Sequence, residues 1–410
     1  MTIKLLSYIC GNKSIVMSVK WVSPNTITGD AATGKRYLRR DYINEYFWKE
    51  VAKGNHILFV APRRVGKTSV MKDLVADCGE EYVCIYQNIE GVKSRNEFYK
   101  RLYELILQCV SNSQKAKSFV TKWFKTYGIS EISKSGLKFV DKEIDYESEL
   151  RNLIPALKEI KLHTVIFLDE FAEVINKLNK QGKQQDAVDM LHTLREIRSD
   201  DDFRHFTIVF AGSIGLQFVI KGIDRPKLIN DLHPVDIGAL TNSEALQLIH
   251  QLTQDVTIQI FPEINNYLLK KTEHLLPYYI QLMLEEIDLV ARESNQPLIN
   301  QKMVDDAFNR VLHKNKNFDD WLVRLKEYQA DNFPFINEIL KHAAHKKQIT
   351  IQEIYNMASD EKYNHTEDYM DFVDELLNDG YLIEKEKHVY RFISPFLQQF
   401  WIKKYPVYHG

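Results

Sequence analysis

The sequence contains few cysteines, glycines and prolines, no long apolar run and no excess of charge of either sign. Its 410 residues include 4 Cys, 16 Gly and 11 Pro, and no low-complexity tract is visible. No uncharged apolar stretch reaches about 18 residues, so we expect no transmembrane helix and no membrane partner. Lys and Arg number 54 against 56 Asp and Glu, a net charge of −2, which excludes a globally basic nucleic-acid coat but not a local basic patch.

The cysteines form no C-x-x-C pair, so neither a zinc site nor a disulfide framework is indicated. We interpret them as free thiols of a reducing, cytoplasmic compartment. The apolar run at 5–10 is too short for a signal peptide. Residues 1–24 are interpreted as a leader, and Met17 is a second plausible start. The cysteines are Cys10, Cys78, Cys84 and Cys109.

Strand and helix patterns alternate from residue 41 to the end of a predicted core at 25–240. Short apolar runs alternate with amphipathic helices, which predicts an α/β fold with a mostly parallel sheet covered by helices. The predicted strands are 56–60, 82–86, 164–168, 206–211 and 235–237.

Helical patterns follow this core without further strands at first. A capping box at Thr241 and Glu244 begins them, which predicts an all-α lid over 241–316. In 317–410 three predicted helices precede a β-hairpin, and Ser394 caps a last helix. This order predicts a C-terminal winged helix-turn-helix domain.

Residues 111–145 carry many lysines interleaved with aromatic residues. The pattern fits either a surface for a phosphate backbone and bases or an inserted helix with a core stripe and a solvated lysine face. We favour the inserted helix. The aromatic residues are Phe119, Trp123, Phe124 and Tyr127.

The strongest chemical signal is the segment A-P-R-R-V-G-K-T at 61–68, between a predicted strand and a predicted helix. It matches a phosphate-binding loop, although Ala61 replaces the first Gly. Backbone N–H groups of such a loop hold phosphates. Lys67 reaches the outer phosphates, and Thr68 places its hydroxyl on Mg²⁺. The predicted binding residues are Pro62, Arg63, Arg64, Val65, Gly66, Lys67, Thr68 and Ser69.

A second apolar strand ends in the carboxylates Asp169 and Glu170, which places both at the edge where ligands bind parallel sheets. Asp169 is predicted to orient Mg²⁺, and Glu170 to activate the attacking water as general base. Ser213 follows the next strand, where it either holds the water or senses the γ-phosphate, or else is an ordinary helix cap. Without an N-K-x-D motif, adenine is favoured over guanine, so ATP and Mg²⁺ are the expected ligands.

Short motifs recur along the chain in a specific order, from Gly29-Asp30 and Tyr37–Asp41 through Ala61–Thr68, Phe167–Phe171, Leu194–Arg198, Gly212–Gly215 and Asn230–Leu232 to Leu276–Tyr279. Together they resemble the archaeal-type ATPases that also occur in bacteria, in the STAND and origin-recognition branch of the AAA+ proteins. The resemblance covers about residues 25–410. It implies a P-loop core, a helical lid and a C-terminal winged helix.

The resemblance also implies roles for single residues. Arg40 and Asp41 flank the adenine, Ser213 is the first sensor, and Pro277 is the lid proline that packs near the base. No residue clearly matches an arginine finger, and each candidate is also explained by a structural ion pair. The candidates are Arg195, Arg198, Arg204 and Arg225.

We predict an ATP-binding, Mg²⁺-dependent ATPase that acts as a conformational switch. One alternative is an ATP-dependent DNA-binding protein of the loader or transposition-helper type, and another is a nucleotide-bound scaffold with little turnover. Acidic residues at the third helix of 317–410 repel phosphates, which favours a protein partner or self-association over DNA. They are Glu367, Asp368, Asp371, Asp374, Glu375 and Asp379.

Overall fold

A computed structural model describes most of the chain. The described residues are 20–112, 117–127, 129–133, 136–139, 144–161, 163–212, 216–221, 223, 225–314, 316–329 and 331–408. Among them, none of the helices combines the length and the apolar character that a membrane span requires. Of the cysteines, Cys78, Cys84 and Cys109 lie in these ranges and are free thiols, as expected.

A five-stranded parallel sheet forms the centre of the core. Its strand order is β2-β5-β6-β1-β7. The predicted strands are confirmed, with ends shifted by one to two residues, because buried parallel strands give continuous apolar runs that are easily recognised. The strands are β1 (Ile57–Val60), β2 (Tyr82–Asn88), β5 (His163–Asp169), β6 (Phe206–Phe210) and β7 (His233–Asp236).

Helices cover both faces of this sheet, which confirms the α/β class. Alternate residues of β5 enter two different apolar clusters, because successive side chains of a strand point to opposite faces. Val165 and Phe167 belong to one cluster, and Ile166 and Leu168 to the other. The helices are α1 (Asp41–Ala52), α2 (Lys67–Ala76), α3 (Arg95–Asn112), α4 (Lys117–Tyr127), α5 (Tyr146–Ala156), α6 (Phe171–Lys180), α7 (Gln184–Ser199) and α8 (Leu216–Lys221).

The lysine-rich stretch at 111–145 contains α4 and a hairpin that the sequence did not predict. Phe119, Val120 and Trp123 are buried, and the indole N–H of Trp123 donates to the Tyr103 hydroxyl over 3.0 Å. Lys122 is exposed. The inserted helix is thus confirmed for its described part. The hairpin strands are β3 (Ile129–Ser133) and β4 (Gly136–Phe139), and residues 113–116, 128, 134–135 and 140–143 lie outside the described residues.

The lid region begins at the predicted capping box, in which Thr241 and Glu244 satisfy each other's backbone N–H groups. The indole N–H of Trp21, near the end of the predicted leader, donates to Asp288 of α11 over 2.9 Å. Residues 1–19 of that leader lie outside the described residues. The lid helices are α9 (Asn242–Leu252), α10 (Pro262–Thr272), α11 (Pro277–Glu293) and α12 (Gln301–His313).

The C-terminal unit (317–410) combines helices with a small antiparallel sheet of order β8-β10-β9. The Ser394 hydroxyl accepts from the Phe396 N–H, as expected for a cap. Its assignment as a winged-helix domain, and the boundaries of all four segments, stay predictions. The elements are α13 (Lys316–Tyr328), α14 (Phe333–Lys346), β8 (Ile349–Thr350), α15 (Ile351–Ala358), α16 (Tyr369–Asn378), β9 (Leu382–Glu386), β10 (Val389–Phe392) and α17 (Pro395–Lys404).

A buried carboxyl group in the C-terminal unit predicts a pH dependence of stability. Burial, and then the charge of Asp379, raise the pKa of Glu375 to about 8, although the amide of Gln329 donates to it. The folded chain therefore binds this proton between pH 4.5 and 8 while the unfolded chain releases it, so stability falls as pH rises through that range. We expect Glu375→Gln to raise the melting temperature at pH 8 and to flatten its fall between pH 5 and 8. Equal pH slopes for both proteins in thermal unfolding contradict this expectation.

Candidate functional site

The predicted phosphate loop connects β1 to α2 and lines a cavity of about 430 Å³ at the carboxyl edge of the sheet. Gly66 has φ 97°, a left-handed conformation that glycine adopts without strain, and it directly precedes the first turn of α2. The backbone N–H groups at the start of a helix have no intrahelical partner and attract anions. The loop and helix thus have the local form of a phosphate site.

Lys67 is buried at the start of α2, and its side chain folds back onto the loop. Its ammonium donates to the Ala61 carbonyl over 2.6 Å. Burial lowers the pKa of Lys67 to about 8, and the charges of Glu170 and Asp169 oppose this shift. A buried ammonium group bound only to carbonyl oxygens is suited to pair with an anion.

Asp169 ends β5 opposite this lysine and is 2% exposed. The hydroxyls of Thr68 and Tyr86 donate to its Oδ2 over 2.8 and 2.9 Å, and the Glu170 N–H donates to Oδ1 over 3.1 Å. Burial raises the pKa of Asp169, the Glu170 charge adds to the shift, and the two hydroxyl donors counteract it. The carboxylate is therefore held in a fixed orientation beside the loop.

Glu170 follows at the N-terminal end of α6, and it also lines the cavity. Its φ of 62° and ψ of 32° place a non-glycine residue in the left-handed region. Such conformations cost about 1–3 kcal/mol and often occur at functional sites. The two consecutive carboxylates thus lie in the same cavity as Lys67.

The donor set of the cavity fits Mg²⁺ and a phosphate-bearing ligand. A hydroxyl and a carboxylate, those of Thr68 and Asp169, are the hard oxygen ligands that Mg²⁺ prefers. Arg63 and Arg64 both line the same cavity. Nη1 of Arg63 and Nε of Arg64 are buried and have no hydrogen-bond partner among the described residues. Buried guanidinium nitrogens of this kind are satisfied by an anion.

A smaller apolar cavity of about 30 Å³ adjoins the first, and Gly66, Ser69 and Pro277 line both. Arg40 lines it as well and donates to the Gly238 carbonyl over 2.8 Å. Its remaining lining includes Tyr37, Leu38, Val65, Leu240, Leu248 and Gln281. Arg40 and Pro277, which the resemblance places near the adenine, both line this cavity.

The structure brings most of the predicted binding residues to these two cavities, with two exceptions. Asp41 lines neither of them, because its carboxylate is 76% exposed and pairs with Arg39 over 3.0 Å. Ser213 lies outside the described residues. The remaining predicted residues line at least one cavity: Arg40, Pro62, Arg63, Arg64, Val65, Gly66, Lys67, Thr68, Ser69, Asp169, Glu170 and Pro277.

The arginine-finger candidates Arg195, Arg198 and Arg204 make the following contacts within the chain. Arg198 makes a two-pronged bond to Asp231 over 2.6 and 2.9 Å. Arg204 pairs with Asp201 over 2.7 Å, and Arg195 donates to the Lys227 carbonyl. These contacts are those of structural arginines.

Sequence reasoning missed several residues of the larger cavity. Lys72 is one helical turn beyond Thr68 on α2, and this spacing was a usable signal. Gln281 of α11 accepts from the Ile27 N–H over 2.8 Å, so it ties the segment before α1 to the lid. Nothing in the local sequence indicated Tyr86, which contacts Asp169 without lining the cavity, because this contact depends on the pairing of β2 with β5.

Comparison with solved structures agrees with this architecture. The chain is similar to the Walker-type ATPase PABY2304 of Pyrococcus abyssi, with a TM-score of 0.61, 15% identity, and 91% of this chain and 99% of that chain covered. The chain has the α/β fold of a Walker-type, P-loop ATPase. The P-loop core expected from the motifs is thereby confirmed.

More distant likenesses carry no argument of their own. The ORC2 protein of Aeropyrum pernix, in its ADPNP–ADP complexes, gives a TM-score of 0.48 at 12% identity, with 94% of this chain and 97% of that chain covered. A search of protein-family models and of curated proteins gives no match. The P-loop ATPase fold, together with the site, is therefore the basis for the functional argument.

Proposed function

We propose that the protein binds ATP and hydrolyses it with Mg²⁺. The observation that carries this proposal is the hydrogen bond between Thr68 and Asp169, which joins the phosphate loop to the carboxylate strand within one cavity. Lys67 and Glu170 line the same cavity. A hydroxyl, two carboxylates and a lysine together are the donor set that phosphoryl transfer requires.

Each residue has a defined task in this reaction. The loop N–H groups and Lys67 bind the β- and γ-phosphates, and Lys67 stabilises charge that develops on them. Thr68 and Asp169 would hold Mg²⁺, which supplies charge neutralisation when bound. Glu170 accepts a hydrogen bond from the attacking water and takes its proton.

We further propose that nucleotide binding is coupled to the position of the C-terminal unit. The guanidinium of Arg63 lies 5.2 Å from the ring centre of Trp321, and Nη2 atoms of Arg63 and Arg64 lie 3.7 and 3.9 Å from Asp320. A Cβ built on Gly380 would lie 2.5 Å from Cβ of Pro62, so this turn contacts the loop directly. An anion that binds these arginines competes with Asp320, which makes the contact sensitive to the ligand.

Asp320→Asn tests this coupling. Removing the carboxylate frees both loop arginines for phosphate. Because the Asp320 side chain is exposed and lies 3.7 and 3.9 Å from the arginines, each pair contributes about 0–1 kcal/mol, and we expect nucleotide affinity to rise about two- to fivefold. Titration with a fluorescent ADP analogue measures it. Asp319→Asn, one residue earlier on α13, is the matched control. Equal affinities of the Asp320 variant and wild type contradict the coupling.

Phosphate release from ATP, measured with and without Mg²⁺, tests the activity itself, and mass spectrometry of co-purifying nucleotide tests occupancy. Trapped ADP without turnover favours the scaffold alternative.

The DNA alternative is weakened because Phe119 and Trp123 are buried and cannot stack on bases. We propose a protein partner or a second copy of the chain as the ligand of the C-terminal unit, tested by the oligomeric state with and without ATP.

A further inference from the structure

Tyr86 lies on β2, whose residues pair in register with β5. Its own register partner is Phe167, yet its hydroxyl reaches along the strand and donates to Oδ2 of Asp169 over 2.9 Å. The ammonium of Lys72 lies 5.6 Å from the centre of the tyrosine ring, on the side of the cavity that Lys72 lines. The tyrosine is thus held between the phosphate-loop helix and the carboxylate strand.

The two hydroxyl donors to Asp169 come from structurally different places. Thr68 belongs to the first turn of α2, which also binds the phosphates in the proposed reaction. Tyr86 belongs to β2 of the central sheet and is not part of the loop or of α2. Because Asp169 is 2% exposed, water does not readily replace either donor.

We propose that Tyr86 is a positioning residue of the magnesium site, which fixes the orientation of the Asp169 carboxylate relative to the sheet, where that carboxylate would hold the metal. The inference rests on the proposed function, because it concerns the same site. Replacing a partner that orients a metal ligand typically weakens metal binding by about 10- to 100-fold. Tyr86 itself does not contact the metal or the nucleotide in this scheme.

The test is Tyr86→Phe in the full chain, with Tyr82→Phe as the matched control. The same hydroxyl is removed from the same strand, but Tyr82 packs on Trp48 and His163, at the other end of β2. The affinity for a fluorescent ADP analogue is measured over a range of Mg²⁺ concentrations and in excess EDTA. Binding of Mn²⁺ in the presence of ADP, followed by electron paramagnetic resonance, gives a readout that is independent of turnover.

We expect Tyr86→Phe to require on the order of tenfold more Mg²⁺ for half-maximal nucleotide binding and to bind Mn²⁺ correspondingly more weakly. Its affinity in EDTA and all properties of Tyr82→Phe are expected to equal those of wild type. A purely structural role predicts instead that affinity falls equally with and without the metal, and that result overturns the proposal.

Unchanged metal dependence in Tyr86→Phe also overturns the role of Tyr86, while leaving the proposed function intact. If wild-type protein binds nucleotide equally well with Mg²⁺ and with EDTA and takes up no Mn²⁺, the magnesium site itself is refuted. In that case the proposed function and the role of Tyr86 fail together. The wild-type titration therefore distinguishes the two failures.

Discussion

Glu170→Gln is expected to abolish ATP turnover and to leave nucleotide binding intact. The amide keeps the size and shape of the carboxylate, and Gln adopts the left-handed conformation at this position at a similar cost, so the backbone is unchanged. The side-chain amide of Gln, unlike the carboxylate of Glu170, cannot accept the proton of the attacking water. A general base contributes about 10²–10⁴-fold to rate, so phosphate release should fall by at least about 100-fold.

The matched control for this variant is Glu173→Gln. Glu173 is on the first turn of the same helix, and its carboxylate pairs with Lys177 over 3.5 Å outside the cavity lining. We expect near wild-type turnover for the control and equal ATP-analogue binding for all three proteins. Turnover of Glu170→Gln within a few-fold of wild type assigns proton acceptance to another group.

The sequence predicted those parts of the site in which the functional side chains lie within, or directly after, a strand or helix that can be recognised from its local pattern. The phosphate loop is contiguous at 61–68, and the carboxylates follow directly on an apolar strand, so a short window contains both the element and its ligand group. The strands of the parallel sheet were predicted for the same reason. The order of the motifs then supplied the lid proline Pro277, which no local pattern indicates.

The remainder depends on contacts between distant segments. Tyr86 reaches Asp169 only because β2 pairs with β5, and Asp320 reaches Arg63 only because the C-terminal unit packs on the loop. Gly380 has a φ of 80°, a conformation that glycine adopts without strain and that a turn signal in the sequence can indicate. Its close approach to Pro62, in contrast, depends on the packing of distant segments. From the sequence, the acidic residues at the third helix of 317–410 were interpreted as favouring a protein partner. The carboxylate that contacts the loop arginines is that of Asp320, which lies on α13.

The second large effect is expected from Lys67→Ala. The variant loses a charge-assisted contact to the phosphates, and Asp169 and Glu170 lose the ammonium group with which their charges interact. Hydrogen bonds to charged groups contribute about 1.5–3 kcal/mol, so ATP affinity should fall by roughly 10- to 150-fold, and turnover with it. Titration with a fluorescent ATP analogue measures the first effect, and phosphate release the second.

Stability should respond in the opposite sense, which separates a binding defect from a folding defect. The folded-state pKa of Lys67, about 8, lies below the ordinary value of 10.5, so below pH 8 the folded chain holds a charged amine that its environment disfavours. This cost is relieved only as pH rises from about 8 towards 10.5, where the folded chain releases the proton first. At pH 7 the alanine variant should therefore unfold at a temperature equal to or above that of wild type, while its nucleotide affinity is lost. A parallel loss of melting temperature and affinity indicates instead that Lys67 maintains the loop through its bond to the Ala61 carbonyl.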